Sequence, residues 1–257
     1  MKFLQSLSAQ VSLRTQGAIL ALGLLFIILD ALTEPMNPAI DLAWVTVIIC
    51  GLPLLINSVN SIWDNLEIHA NFLVVIAMVA LIAIGDYHTA AYVGIIVHAG
   101  FFLEQLITGD AHYTLDDDML PAMPAQLVAL RQGINNYSSV IVVVVMLLSM
   151  GSFALTGDFM HTATLLLVPC PCSLELILVA LMMGSLVDDN SPTAELSKEA
   201  KQCYLGLLIV SVLFHVSIIG AGVFGSLNPV TAVALHGLAR LGLVYNLKVL
   251  NGSLCVA

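Results

Sequence analysis

The sequence predicts an all-α integral membrane protein with about eight transmembrane helices. Its 257 residues are 60% hydrophobic and only 9% charged, whereas a soluble domain is typically about 45–50% apolar and about 25% charged. The mean hydropathy is +1.02, and the apolar runs are long enough to cross a bilayer core of about 30 Å as helices. The alternating segments typical of a membrane β-barrel do not occur. An ordinary soluble enzyme is therefore excluded.

Eight segments are apolar and long enough for a helical crossing, some of them only marginally. The backbone finds no water to bond in the hydrocarbon region, so helices are the expected form. A short amphipathic lead-in over the first fifteen residues precedes the spans, and the lack of a small-residue cleavage site argues against a signal peptide. The segments are about 17–33, 40–57, 69–84, 87–106, 136–156, 162–186, 203–224 and 228–248.

The charge balance and the cysteines exclude two other classes of protein. The chain has 7 Lys and Arg against 17 Asp and Glu, with a formal net charge of −10. No basic stripe could therefore neutralise the phosphates of a nucleic acid. The five cysteines are scattered, and four lie in or beside apolar runs, which argues against a secreted disulfide framework.

The positive charges indicate the orientation. With eight crossings, both termini share one side with the loops 58–68, 107–135 and 187–202, and the opposite loops contain no Lys or Arg. Because Lys and Arg accumulate on the cytoplasmic side, we expect both termini to be cytoplasmic. Apart from Arg240, which lies within the last span, the basic residues on that side are Lys2, Arg14, Arg131, Lys198, Lys201 and Lys248.

Two of the cytoplasmic loops show a local helix signal. The loop 107–135 has room for one short amphipathic helix near 124–133. The loop 187–202 contains a helix start, with Ser191 as the N-cap and Pro192 at the first helical position. Both loops are shorter than the roughly 50 residues at which domains begin.

The sixth span contains the most distinctive motif, Pro169-Cys170-Pro171-Cys172. On an intact helix the two cysteines would point to nearly opposite sides, but the prolines remove backbone donors and disturb the preceding turn. An unwound helix could direct both sulfurs to one point, as in the broken helices of transporters. Thiolates suit zinc or copper(I). A Pro-kinked packing helix with two inert cysteines explains the pattern equally well, and both interpretations stay open.

Counting residues from the outer ends of the spans identifies side chains at the same depth as these cysteines. At about 1.5 Å per residue, Cys170 and His236 lie at similar depths below the outer ends of their spans. One interpretation is a metal site of Cys170, Cys172 and His236, with Glu175 as a further ligand. Glu175 and Arg240 are also level with each other. We favour an intramembrane ion pair between them, because a lone buried charge is costly.

Two further histidines, His98 and His215, lie near mid-membrane in the fourth and seventh spans. Polar residues inside spans are expensive, so each is a candidate functional residue. We expect both to be neutral imidazoles bonded to a neighbouring helix rather than metal ligands. The aspartates at 116–118 are expected to be a solvated loop.

These residues resemble the membrane domain of heavy-metal-transporting (type IB) P-type ATPases, particularly the zinc/cadmium/cobalt branch. Cys170-Pro171-Cys172 followed by Ser173-Leu174 is similar to the family's metal-binding Cys-Pro-Cys-Ala-Leu, and the family has two N-terminal helices before a six-helix core. Weaker matches are His69 to Leu73, Ile84-Gly85-Asp86, Ala90-Ala91, Leu103-Glu104, Leu205-Gly206-Leu207, Asn228-Pro229, His236 and Asn246.

The resemblance implies a division of the chain into two parts. Residues 1–60 would form the amphipathic lead-in and a helix pair, and residues 61–257 a six-helix core carrying the loops 107–135 and 187–202. We expect the protein to reside in a bacterial inner (cytoplasmic) membrane.

The family's catalytic motifs do not occur in this sequence. The actuator motif Thr-Gly-Glu and the phosphorylation motifs Asp-Lys-Thr-Gly-Thr and Gly-Asp-Gly-x-Asn-Asp would fall in the loops 107–135 and 187–202, which are too short, and no P-loop occurs. We therefore expect neither ATPase activity nor bound ATP.

The membrane residues depart from the family as well. Phe101, Leu208 and Gly237 stand where the family has an acid, a lysine and an acid. Glu175 and Arg240 are additions at positions that the family keeps apolar or small. The loss of these groups together indicates a degenerate transport site.

Three functions remain. The first is metal binding or conduction, with Cys170, Cys172 and His236 as ligands of zinc or copper. The second is a pseudoenzyme, retained as a scaffold or assembly subunit of a larger membrane complex with other membrane proteins. The third is an engineered transmembrane core from which the soluble domains were excised. It ranks last because other residues stand at several of the family's ligand positions and the linkers are not Gly/Ser repeats. We favour the scaffold, which could still bind a transition metal.

Overall fold

The described residues form eight α-helices and no strand, so the predicted all-α class is confirmed. Each of the eight apolar segments overlaps one helix. In the computed structural model, the residues that can be described are 13–33, 42–65, 70–108, 125–168 and 198–254. The helices are α1 (Leu13–Thr33), α2 (Ala43–Asn65), α3 (Ala70–Ala83), α4 (Tyr87–Thr108), α5 (Ala125–Thr156), α6 (Phe159–Leu167), α7 (Lys198–Val223) and α8 (Pro229–Leu254).

Two of these helices are long and apolar enough to cross a membrane. The windows are Leu13–Leu32 in α1 and Ala43–Asn60 in α2. Shorter apolar stretches occur in α3, α4, α5, α7 and α8. The predicted count of eight spans therefore stays a prediction.

Three described turns begin in the same way, with a glycine that ends a helix. Gly85, Gly157 and Gly225 have φ values of 81°, 65° and 70°, a left-handed conformation that glycine adopts without steric penalty. After Gly85, the backbone N–H of Asp86 donates to the carbonyl oxygen of Leu81 at 3.0 Å. This bond is typical of a Schellman motif, which satisfies a carbonyl at the helix end.

The helix that follows each turn begins with a polar cap. The cap oxygen accepts a backbone N–H that the first helical turn cannot satisfy. The pairs of cap and donor are Asp86 with Thr89 at 3.0 Å, Asp158 with Met160 at 2.8 Å, and Asn228 with Thr231 at 2.8 Å. These turns join the helices into three hairpins: α3–α4, α5–α6 and α7–α8.

Three helices, α3, α4 and α6, form the centre of the part of the molecule that the structure describes. α3 packs against α2, α4, α5 and α6. α4 packs against α1, α2, α3 and α8, while α6 packs against α3, α5, α7 and α8. Ala90 and Ala91 of α4 are fully buried, and so is nearly all of the stretch 163–168 at the end of α6. A helix that is apolar all round is expected to be buried.

Apolar side chains cover the outer surfaces of α1, α5 and α7. Polar side chains such as Thr46, His98 and His215 are buried instead. The exposed residues include Leu22, Leu25 and Ile28 on α1, Val143, Leu147 and Met150 on α5, and Ile209, Val210 and Leu213 on α7.

Some helices extend beyond the apolar segments that predicted them. The short helix expected near 124–133 is not separate, because residues 125–156 form the single helix α5. The predicted loop 58–68 is helical as far as Asn65. The physical reason is that hydropathy marks only the apolar part of a helix, whereas the backbone hydrogen bonds continue through polar residues as well. Ser191 and Pro192 lie outside the described residues.

Candidate functional site

The predicted metal site is only partly within the described residues. Cys170, Cys172, Glu175 and the helix-breaking prolines Pro169 and Pro171 lie outside them, so the thiol site and the ion pair stay predictions. Arg240 lies on α8, where the structure describes its backbone and not its side chain. His236, on the same helix, is described in full.

The helix α6 leads to the Cys-Pro-Cys motif and is fixed at both described ends. Its cap, Asp158, accepts backbone N–H groups from Met160 at 2.8 Å and His161 at 3.2 Å. At the other end, Val168 donates its N–H to the carbonyl oxygen of Thr164 at 3.1 Å.

The side chain of Val168 packs on a glycine of α7. A Cβ placed at Gly222 would lie 3.2 Å from Val168 Cγ2 and 3.3 Å from Leu165 Cδ2. The lack of a side chain at Gly222 thus lets α7 approach α6 directly before the motif.

His236 meets a second imidazole. The rings of His215 on α7 and His236 on α8 lie 6.0 Å apart between centroids, with an interplanar angle of 69°. His215 is buried, and its Nδ1 donates to the carbonyl oxygen of Ser211 at 2.7 Å. That acceptor lies on the same helix, and the expected bond of His215 to a neighbouring helix stays a prediction. Across the helix interface, the His215 ring contacts the ring of His236.

The hydrogen bond that we expected from His98 to a neighbouring helix is present. Its Nε2 donates to the carbonyl oxygen of Cys50 on α2 at 2.8 Å, and its Nδ1 lies 3.5 Å from Oε1 of Gln16 on α1. Pro53 lies one turn beyond Cys50, where a proline removes a backbone donor and disturbs the preceding turn. The buried His98 ring thus links α4 to α2 next to this disturbed turn.

Glycines bring three helices together around Cys50. A Cβ at Gly94 of α4 would lie 2.8 Å from Cys50 Cβ, and one at Gly23 of α1 would lie 3.0 Å from Cys50 Sγ. Thr46 Oγ1 also donates to the carbonyl oxygen of Gly23 at 3.3 Å. Small residues permit such close approach in membrane helix bundles, so we interpret this junction as structural.

A polar pair that the sequence reasoning missed lies near the end of α1. Asp30 is 4% exposed. Its Oδ1 accepts the backbone N–H of Leu42 at 2.7 Å, and its Oδ2 lies 2.8 Å from Nε2 of His88 on α4. The sequence does contain a signal for this pair. Asp30 is an acidic residue within the first apolar segment, and ionisable residues inside spans are candidate functional residues.

Aromatic rings pack close to this pair. Trp44 of α2 and Tyr87 of α4 have ring centroids 4.6 Å apart. Tyr87 directly precedes His88, and Trp44 follows Leu42 by two residues. The pair thus ties α1 to α4 and to the start of α2, beside an aromatic contact between α2 and α4.

The described residues contain no group of three or more His, Cys, Asp and Glu side chains that could hold a metal ion. The imidazoles of His215 and His236 are the nearest match to metal-ligand chemistry at the predicted site, since neutral imidazole is a common ligand of zinc, copper and iron. A complete site would need further donors from elsewhere in the chain or from water.

No protein-family model, no curated protein and no solved structure matches this chain.

Proposed function

We propose that this chain is an integral membrane protein that serves as a non-catalytic scaffold or assembly subunit of a larger membrane complex. In this proposal its helices follow the arrangement of a type IB P-type ATPase membrane domain, in a bacterial inner membrane with both termini cytoplasmic. The observation that carries the membrane part is the apolar exterior of α1, α5 and α7, beneath which polar side chains are buried.

The distribution of side chains favours a lipid environment. Leu25 and Ile28 of α1 are exposed, while His98 and Thr46 lie inside. A soluble monomer rarely exposes contiguous apolar patches of more than a few hundred Å². Lipid around these helices would cover the apolar surface without requiring a change of fold.

The proposal of a non-catalytic role depends on the short cytoplasmic loops. A P-type ATPase needs an actuator domain and a phosphorylation domain, and domains begin near about 50 residues. The loops 107–135 and 187–202 lack the motifs of both domains. Any energy from ATP would therefore have to come from a partner subunit.

Co-purification tests the scaffold role. The protein should be extracted from its native membrane in a mild detergent and separated by size. We expect it to migrate with other membrane proteins at a stoichiometry that stays constant between two detergents. Isolation as a lone monomer with a complete activity of its own would contradict the proposal.

A second candidate function, transition-metal binding, is favoured by the contact between His215 and His236. In this alternative, Cys170, Cys172 and His236 bind zinc or copper(I) without an ATPase in the same chain. The contact supports it because His236 lies against a second imidazole on a neighbouring helix.

Elemental analysis of the same purified sample tests the alternative. We expect zinc or copper in an amount close to that of the protein. The double variant Cys170→Ser with Cys172→Ser should lose the metal, whereas Cys203→Ser, a control thiol outside the motif, should retain it. Native protein that contains no transition metal would dismiss this function.

A further inference from the structure

We propose that the tryptophan and tyrosine residues near the helix ends lie in the two interfacial layers of one lipid bilayer, about 24–28 Å apart. The inference rests on the membrane part of the proposed function and adds the depth at which the helices meet the lipid headgroups. Three observations carry it: the positions of these residues along the helices, the distance between the two levels that they form, and the basic residues beyond one of the levels.

Tryptophan and tyrosine are confined to the ends of the apolar segments. The chain has 2 Trp and 6 Tyr, and all but Tyr113, in the predicted loop 107–135, lie on described helices within six residues of a segment end. Amphipathic rings of this kind are enriched at both surfaces of a membrane. The outer level consists of Trp44 on α2 with Tyr87 and Tyr92 on α4, and the inner level of Trp63 on α2, Tyr137 on α5, Tyr204 on α7 and Tyr245 on α8.

The outer level is described in side-chain detail. The rings of Trp44 and Tyr87 have centroids 4.6 Å apart, so these two residues lie at the same height. Trp44 is 39% exposed and Tyr92 is 44% exposed. Because the Cα–Cβ bonds of a helix tilt toward its N-terminus, the side chain of Tyr92 starts toward the level of Tyr87. Partly exposed rings with an apolar body and a polar tip fit the boundary between hydrocarbon and water.

The two levels are separated by nearly the same distance on four helices. On α2, Trp63 follows Trp44 by 19 residues. The same number of residues separates Tyr137 from the outer end of α5 and Tyr204 from the outer end of α7. On α8, Tyr245 lies 16 residues after the outer end. At a rise of about 1.5 Å per residue, these intervals are about 24–28 Å long, and the hydrocarbon region of a bilayer is about 27–30 Å thick.

Basic residues lie directly beyond the inner level. Lys201 and Lys248 lie three residues beyond Tyr204 and Tyr245, whereas the predicted outer loops contain no Lys or Arg. The cytoplasmic surface of a membrane carries anionic headgroups that attract such residues. This match of charge favours a lipid bilayer over a protein partner as the surroundings of the two levels.

Depth-dependent quenching of tryptophan fluorescence tests the two levels, because the chain has only 2 Trp. Trp63→Phe leaves Trp44 as the single fluorophore, and Trp44→Phe leaves Trp63. The full-length variants are reconstituted into phosphatidylcholine vesicles whose acyl chains carry bromine either close to the headgroup or close to the chain end. Leu52→Trp without the two native tryptophans is the matched control, because Leu52 is exposed and lies between the levels on the same helix.

We expect bromine close to the headgroup to quench both native tryptophans more strongly than bromine close to the chain end. The control should show the reverse order. Leu55→Trp, at another exposed position between the levels of α2, is the second control in case Leu52→Trp is poorly folded. Trp44→Phe and Trp63→Phe keep an aromatic ring and should melt close to the parent protein.

The control distinguishes failure of the inference from failure of the proposed function. If deep bromine quenches the control, but a native tryptophan is quenched mainly by deep bromine or by neither lipid, the proposed levels are wrong and membrane insertion stands. A native tryptophan covered by a second copy or a partner protein would give this result. If no variant is quenched, or if shallow bromine dominates in all of them, α2 does not cross the bilayer and both proposals are wrong.

Discussion

The carboxylate of Asp30 and the imidazole of His88 join α1 to α4, with 2.8 Å between Oδ2 and Nε2. The other carboxylate oxygen accepts the N–H of Leu42 just before α2. A single buried side chain thus holds three helices at one end of the molecule. Of the three partners, only His88 is substantially exposed, at 43% of its side chain.

Asp30→Ala is predicted to destabilise the protein by about 1–3 kcal/mol, because it leaves a shielded backbone N–H and an imidazole without their acceptor. Asp30→Asn should lose less, since its amide oxygen can still accept from Leu42. Thermal unfolding in detergent measures both. His88→Ala is the control for loss of the ring alone and should have the smallest effect. Equal melting temperatures for Asp30→Ala and the parent would show that this link contributes nothing.

Gly94→Ala is predicted to lower the free energy of unfolding by about 1–3 kcal/mol, because the new methyl group would lie 2.8 Å from Cys50 Cβ and force α2 and α4 apart. Gly100→Ala is the matched control on the same helix, since nothing lies within 4 Å of its added Cβ. That change should be neutral or slightly stabilising, because alanine favours helix over glycine. Similar melting curves for the two variants would contradict the close approach at Gly94.

Gly85→Ala tests the turn between α3 and α4. Its added Cβ would meet nothing within 4 Å, so the effect isolates the positive φ of 81°. We expect a loss of about 1–2 kcal/mol from the left-handed conformation. Gly85→Asn should lose less, since Asn adopts this conformation more readily than Ala. If both variants melt alike, the turn has another backbone conformation.

Cysteine labelling tests the proposed orientation. Ser226 lies exposed in the turn between α7 and α8, on the side where the sequence has no Lys or Arg. Ser226→Cys should react with a membrane-impermeant maleimide added to intact spheroplasts, above the background of the parent protein. Thr193→Cys, in the predicted cytoplasmic loop, should react only after the membrane is permeabilised. The reverse pattern would place the termini outside.

Hydropathy predicted the positions of the helices well. Long apolar runs located all eight, because each run must satisfy its backbone bonds internally. The same measure missed the continuity of α5 through Asn135 and Asn136, since polar residues end an apolar run without ending a helix. Gly-Asp at 85–86 and 157–158 marks two of the three hairpin turns, where a left-handed residue and a cap are both required.

The candidate site was less predictable, because depth along a helix does not fix the direction in which a side chain points. Counting from the span ends placed His236 level with the cysteines, and the same count would have placed it level with His215. The face of each helix depends on packing, for example on the close approach at Gly222. The partner of Asp30 was unpredictable for a similar reason, because its link to His88 connects residues 58 positions apart in the chain.

The three glycine turns have a consequence for how such a protein could be made and recognised. Each turn is too short to hold a domain that would have to cross the membrane. A hairpin could therefore enter the bilayer as a single unit, with only a few polar residues to move across it. In the proposed orientation, these short turns give a protein on the outer side very little surface to bind. Assembly partners would then have to approach through the lipid phase, at the remaining outer loop 34–39, or from the side that bears the chain ends.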